Sequence, residues 1–253
     1  MKRISRQDLL RISGRAVPVT PRTNPRARRL IVKVHPSTGE VSIIAPSVRA
    51  LERARDFAKG HSDWIAQRLS QVPEPVPFEA GAVIPFRGKE HTIRRAPEER
   101  GGAWIDSGAP EPTIRVAGAE EHVARRVLDF LKREARRELT RKTWLYAEAL
   151  GVKPRRITVR DTASRWGSCS SKGGISYSWR LILAPNAVLN YVAAHEVAHL
   201  KEMNHGPRFW RLVERLLADV QGPQAWLREH GPFLHRYGAE AGITAAGLFT
   251  EAD

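Results

Sequence analysis

The sequence lacks the features that disulfide-stabilised and membrane-spanning proteins need. Its single cysteine, Cys169, cannot form an intramolecular disulfide, so nothing calls for an oxidising compartment. No apolar run approaches the ~20 residues of a spanning helix. The first 29 residues are basic, with Asp8 as their one acid, but they lack the apolar core of a secretory signal. We therefore expect a cytoplasmic protein without a membrane partner, and an organellar transit peptide is the alternative interpretation.

Acidic residues are scarce relative to basic ones. The chain has 27 Asp and Glu against 42 Lys and Arg, which gives a formal net charge of +15. A positive field of this size attracts phosphates, nucleic acids and acidic substrates. A surface covered with arginine explains the same number, and no nucleic-acid-binding signature accompanies it. Charge alone therefore admits nucleic acid as a partner but does not identify it.

The N-terminal half alternates strand and helix patterns. Residues 30–46 contain two apolar-rich runs around a turn, which predicts a β-hairpin. Residues 48–69 keep a helical period of apolar positions and predict one helix. A proline-rich linker follows, and short apolar runs between residues 78 and 116 predict further strands in a meandering sheet.

The C-terminal half begins with one long amphipathic pattern. Residues 119–150 predict a helix that Gly151 ends. Residues 155–161 and 173–185 then predict a pair of strands, separated by a loop that is unusually rich in small residues. Two further helices are predicted over residues 186–203 and 207–219.

The HEVAH run at residues 195–199 predicts a metal site. His195 and His199 are four residues apart, so both imidazoles emerge from one helix face about one turn apart. The helix is apolar nearly all round and is expected to be buried, where unsatisfied polar groups are costly. A zinc ion satisfies them, because neutral imidazole is a preferred ligand. Other divalent transition metals fit the same ligands.

A catalytic zinc needs a third protein ligand and an open position for water. His205 is the predicted third ligand, because the break at Gly206 and Pro207 lets its ring return over the metal. Glu214, in the following helix, is the alternative ligand. Glu196 lies beside the metal rather than on it, and there it can take a proton from zinc-bound water as general base.

These residues resemble a known family. The run HEVAHLKEMNHGPRFW, preceded by SRWGSCSSKGGISYSWRLILAPNAVLNYV, resembles the YgjP-like metallopeptidase family, which is akin to the SprT-like proteins. The resemblance implies an α+β fold with a zincin-like catalytic core, in which the HExxH helix packs on a mixed β-sheet, and a β-rich N-terminal subdomain. It also implies zinc held by His195, His199 and His205, with Glu196 as acid and base. We expect an N-terminal hairpin-plus-helix region (1–76), a β-rich segment (77–118), the zincin-like core (119–235) and a tail (236–253).

The sequence indicates the metal ligands more clearly than it indicates which bond is hydrolysed. The family name implies peptide hydrolysis, and a peptide could pair with an edge strand at residues 175–183. The family resemblance also implies an alternative, hydrolysis of UTP to UMP and pyrophosphate, for which Arg165, Lys172 and Arg180 could bind the phosphates. A third hypothesis is a basic nucleic-acid-binding protein with a structural zinc, but it leaves Glu196 without a role. We expect peptide hydrolysis.

Overall fold

The computed structural model describes residues 8–12, 14–35, 39–162 and 165–238. It confirms the α+β class, with helices and three mixed sheets. The described residues divide into two compact units, one within residues 8–75 and the other within residues 76–238. No helix in the described part of the chain combines the length and the apolar character that crossing a membrane requires.

The first unit contains a four-stranded sheet and two helices. The predicted hairpin is confirmed, because the strands at residues 31–34 and 41–45 pair antiparallel. Two strands at residues 8–23 precede it, and one of them pairs parallel with the second hairpin strand. The sheet order is β1-β2-β4-β3. The elements are β1 (Asp8–Ile12), β2 (Arg15–Thr23), β3 (Ile31–Val34), β4 (Val41–Ala45), α1 (Leu51–Lys59) and α2 (Ser62–Ser70).

The single helix predicted over residues 48–69 is wrong in one respect. A 3-10 turn at residues 48–50 leads into α1. This helix ends before Gly60, and α2 begins at Ser62. The amides of Gly60 and His61 bond to Asp56 and Ala58 in a tightened last turn. The buried residues Ala54, Ala58, Ile65 and Leu69 still keep a helical spacing across the break, so the apolar period alone does not reveal it.

The second unit begins with the four strands that the short apolar runs predict. They do not form a simple meander, because the two middle strands are parallel and the order is β5-β6-β8-β7. Alternate residues such as Ile84, Ile93 and Ile114 are fully buried, so one face of this sheet belongs to the core. The strands are β5 (Val83–Phe86), β6 (Lys89–Ala96), β7 (Ala103–Asp106) and β8 (Thr113–Ala117).

The long helix is confirmed as α3 (Val123–Leu150). It ends at Gly151, whose φ of 63° is the left-handed conformation that favours glycine at a helix C-terminus. Leu131 and Leu139 on its apolar stripe are fully buried in the core that α3 shares with the four-stranded sheet. The helix also contacts α4, where the Lys142 ammonium donates a hydrogen bond to Asn190 Oδ1 at 2.6 Å.

A three-stranded sheet follows α3. Its middle strand pairs antiparallel with one neighbour and parallel with the other, in the order β10-β11-β9. The prediction of two strands is therefore incomplete, because a third strand lies inside the loop of small residues. The strand predicted over residues 173–185 ends at Ser178, and the next five residues form a buried 3-10 helix. The strands are β9 (Arg156–Arg160), β10 (Gly167–Cys169) and β11 (Gly174–Ser178).

Three helices complete the second unit. They are α4 (Asn186–Ala198), α5 (Pro207–Leu216) and α6 (Gln221–His230). The burial expected for α4 is confirmed, because its side chains Val188, Leu189 and Val197 are at most 1% exposed. The helix ends at Ala198 rather than at Met203 as predicted, since turns replace helical bonds from His199 onward.

Candidate metal centre

Three histidines meet where α4 ends and α5 begins. His195 lies in the last turn of α4, His199 is the residue that caps it, and His205 lies two residues before α5. Their candidate ligand atoms all lie within 4.8 Å of one another. The Nε2 atoms of His195 and His205 are 3.0 Å apart. The early end of α4 and the turn at Asn204, whose carbonyl accepts the Gly206 amide, bring His205 back to the helix.

A phenylalanine packs against all three rings. The ring centroid of Phe209 lies 4.9 Å from that of His195, 4.6 Å from that of His199 and 4.7 Å from that of His205. Phe209 is fully buried in the first turn of α5. The sequence pattern does not single out Phe209, although an aromatic residue four positions after a ligand histidine is a signal that could have indicated it. Its ring fixes the orientation of the imidazoles from the protein side, while His205 is exposed on the other side.

The environment favours the neutral form of His195 and of His199. Burial, together with the neighbouring charges of His199 and His205, lowers the pKa of His195 to about 4. Burial also lowers the pKa of His199, although hydrogen bonds to the backbone of Glu202 and Met203 oppose this shift. The Nδ1 of His199 donates to the Glu202 carbonyl at 3.1 Å, which leaves Nε2 free to bind a metal. Neutral imidazole is the form that binds metal ions.

The cluster suits a transition-metal ion. Three imidazoles with converging ring nitrogens are a ligand set that zinc and related transition metals prefer. Among the described residues, neither the buried Nδ1 of His195 nor the buried Oε2 of Glu196 has a hydrogen-bond partner. Buried polar atoms without partners are costly and are a feature of functional sites. The predicted alternative ligand, Glu214, is not part of the cluster and lies on the exposed side of α5.

Glu196 is buried beside the histidines. Only 5% of the residue is exposed, and burial raises the pKa of its carboxyl to about 7, although the charge of Arg165 opposes the shift. The carboxylate lies against β10, because a Cβ at Gly167 would come within 2.7 Å of Glu196 Cγ and 2.8 Å of Cδ. Real Cβ atoms essentially never approach that closely. A glycine at 167 is therefore required for this position of Glu196.

The three cations predicted to bind substrate lie in different settings. Arg165 is exposed and acts electrostatically on Glu196. Lys172 is exposed in the turn between β10 and β11. Arg180 is buried and its guanidinium is used by the fold: it bonds to both carboxylate oxygens of Asp161 and to three backbone carbonyls near the end of the unit. This placement favours a structural role for Arg180, and its predicted substrate contact stays a prediction.

Comparisons with known proteins decide the family. A family model described as YgjP-like, metallopeptidase domain matches residues 28–230. The chain belongs to the YgjP-like family. That family is one of metallopeptidases, so the YgjP-like chain is a metal-dependent hydrolase, and its three-histidine cluster is able to bind the metal.

Solved and curated proteins add a limited likeness. The crystal structure of the metallopeptidase zymogen of Pyrococcus abyssi abylysin is 22% identical to the YgjP-like chain, with a TM-score of 0.33. The match covers 37% of this chain and 92% of that one. No curated protein matches the sequence.

Proposed function

We propose that this protein is a zinc-dependent peptidase, with His195, His199 and His205 as metal ligands and Glu196 as general base. The observation that carries the proposal is the meeting of three imidazoles beside a buried carboxylate at the end of α4. A bound zinc ion would supply Lewis acidity, which polarises a carbonyl and lowers the pKa of water.

Glu196 provides the proton transfer. Its Oε2 has no hydrogen-bond partner among the described residues, so this oxygen is free to accept a proton from the attacking water and to pass it to the leaving amine. A carboxyl with a pKa near the working pH is suited to both steps. Phe209 packs against the three histidine rings, and Gly167 leaves room for the carboxylate of Glu196.

The strand next to Glu196 favours a peptide substrate. The expectation that a peptide pairs with residues 175–183 is wrong, because β11 is the middle strand and both of its edges are already paired. β10 is an edge strand among the described residues, and its Gly167 touches the Glu196 carboxylate. An extended peptide added to this edge would place its backbone beside the general base.

Hydrolysis of UTP is the second candidate, and Arg165 is the observation that favours it. Arg165 is close enough to act on the Glu196 charge, and it is exposed, so a phosphate could reach it. The other two candidate cations give less support. The guanidinium of Arg180 already bonds to Asp161 and to backbone carbonyls. In the described part of the chain, Lys172 makes no contact with the histidines or Glu196.

The deciding experiment compares wild type with Glu196→Gln, which keeps the shape of the side chain but removes the base. We expect the variant to retain one bound zinc per chain and to lose hydrolysis of an unstructured polypeptide by about 10²–10⁴-fold, the usual contribution of a general base. UTP is assayed in parallel. Loss of UTP hydrolysis alone would assign the nucleotide as substrate, and undiminished turnover of both would place the base elsewhere.

A further inference from the structure

The outer face of the three-stranded sheet carries a groove that the metal centre does not use. Side chains alternate between the two faces of a strand, so Arg156, Thr158 and Arg160 of β9 lie on one face. The register places Ser176 of β11 beside Thr158, and Ser168 of β10 beside Ser176, on that same face. These residues line an open cavity of 390 Å³.

The groove exists because the middle strand carries small residues. Gly174 and Ser176 of β11 lie between the arginines of β9 and the serines of β10, and neither fills the space between them. The two outer strands are two strand spacings apart, so the groove is roughly 10 Å across. This width accommodates one extended chain but not a duplex.

The groove is chemically suited to anions. Of the described residues that line it, none is acidic and none is aromatic. Arg156 and Arg160 are exposed and form no ion pair with any residue that the structure describes, and within the same ranges the hydroxyls of Ser168 and Ser176 have no hydrogen-bond partner. Arginine and serine are among the residues that bind phosphate oxygens in protein complexes with nucleic acids. A larger cavity beside α5 differs, because Glu202 and Glu214 lie among its basic residues.

The segment that contains the groove, residues 152–178, is also positively charged. Residues 152–178 contain one acid, Asp161, and it is already bound by Arg180. The same segment carries six basic residues, which are Lys153, Arg155, Arg156, Arg160, Arg165 and Lys172. This charge is local, in addition to the net +15 of the whole chain.

We propose that this groove binds the phosphate backbone of a single-stranded polynucleotide without preference for its bases. Arg156 and Arg160 are four residues apart along β9, roughly 13 Å, so they suit a ligand with repeated charges rather than a single anion. A polynucleotide carries a charge at every unit, whereas a polypeptide meets both arginines only with suitably placed acids. The absence of aromatic residues from the described lining removes base stacking as a source of affinity.

The test measures binding of the full chain to a labelled single-stranded oligonucleotide of mixed sequence over a range of salt concentrations. Each phosphate contact on a single strand contributes about −0.7 to the slope of log affinity against log salt. We expect Arg156→Ala/Arg160→Ala to make that slope less negative by about 1.4 and to weaken binding on the order of 10-fold at low salt. Arg156→Lys/Arg160→Lys retains the charges and is expected to retain the slope.

A matched pair controls for net charge. Arg49 and Arg53 are also exposed, four residues apart and without ion pairs in the described structure, but they lie in the first unit. Arg49→Ala/Arg53→Ala is expected to leave the slope unchanged, and thermal unfolding verifies that each variant is folded. Equal losses in the two pairs, or no binding by wild type, would overturn the proposal. Equally strong binding of polyglutamate, with the same loss in Arg156→Ala/Arg160→Ala, would reassign the groove to acidic polypeptides.

Discussion

The absence of a side chain at Gly167 leaves room for the carboxylate of Glu196. A methyl group at this position would overlap the carboxyl end of Glu196 rather than a histidine. Glu196 has little freedom to move aside, because α4 is buried around it. The geometry of the proposed general base therefore depends on a residue that contributes no chemistry of its own.

We expect Gly167→Ala to lower kcat on the order of 10²-fold, the cost of displacing a reacting group by about 1 Å. Metal content and metal affinity should stay at their wild-type values, because the added methyl group meets only Glu196. The measurement is steady-state hydrolysis together with zinc titration. Ser168→Ala changes the next residue on the same strand, whose side chain lies on the opposite face, and should retain kcat. A Gly167→Ala variant with full activity would show that the position of Glu196 is not critical.

A single substitution also tests whether His205 or Glu214 is the third metal ligand. Removal of one imidazole should weaken metal binding by 10-fold or more, since loss of groups that only support the ligands already costs about 10–100-fold. We therefore expect His205→Ala to lower zinc affinity by at least that factor in a competition titration with a chelator. Glu214→Gln is the matched control at the alternative ligand, and a larger loss in this variant than in His205→Ala would reverse the assignment.

At the scale of elements, periodicity predicts the long segments and misses the short ones. The pattern over residues 119–150 predicts the end of α3 and places its start four residues too early, because twenty-eight helical residues average out local exceptions. The three residues of β10 have little strand propensity, and their conformation comes from pairing with β11. The apolar pattern of residues 179–183 is compatible with either a strand or a helix. All five residues are buried, and they form a 3-10 helix.

In the candidate metal centre too, residues set by local spacing are predictable and residues set by tertiary packing are not. His195, Glu196 and His199 are predictable because one helix sets their spacing, whereas the positions of His205 and Phe209 depend on how two helices meet. The sequence pattern shows a loop rich in small residues but does not single out Gly167, because its approach to Glu196 joins residues that are 29 positions apart. Contacts of that kind depend on tertiary packing that no local pattern specifies.

Arg180 joins the 3-10 helix after β11 to the end of the second unit. Its Nη1 donates to the carbonyl oxygen of Tyr237 at 2.8 Å, and its Nε and Nη2 donate to Asp161. Burial alone would raise the pKa of Asp161, but the hydrogen bonds and the charge of Arg180 outweigh it and hold this pKa below 3.8. The carboxylate therefore stabilises the fold above about pH 3.8, and this contribution is lost as the pH falls through the lower folded pKa.

Asp161→Asn should accordingly lower the free energy of unfolding by about 1–2 kcal/mol at neutral pH, a modest value because half of the Asp161 side chain is exposed. The difference from wild type should shrink as the pH falls below about 3.8. Chemical denaturation at several pH values measures it. Asp129→Asn, which removes an exposed partner of Arg125, is the control and should cost about 0–1 kcal/mol. A difference that grows towards low pH would contradict the assignment.

At the scale of the whole molecule, the candidate metal centre and the residues that pack around it lie in one unit. The three histidines, Glu196, Gly167 and Phe209 all fall within residues 76–238. A single core cluster in this unit includes Ile93 and Ile114 of the four-stranded sheet together with Leu131 of α3 and Val197 of α4. The sheet at residues 83–117 therefore supplies apolar surface on which the helices of the metal centre depend.

Two fragments test where the independent hydrolase begins. A fragment of residues 76–238 retains the complete core, and we expect it to unfold cooperatively, to bind one zinc ion per chain and to retain hydrolysis. A fragment of residues 119–238 begins at the sequence-predicted boundary and loses the fully buried Ile84, Ile93 and Ile114. Burial of each such side chain contributes about 1.5–3 kcal/mol, so their loss alone approaches the whole stability of a domain. Circular dichroism and zinc titration separate the cases, and a folded, zinc-binding 119–238 fragment would show that α3 and α4 need no support from the sheet.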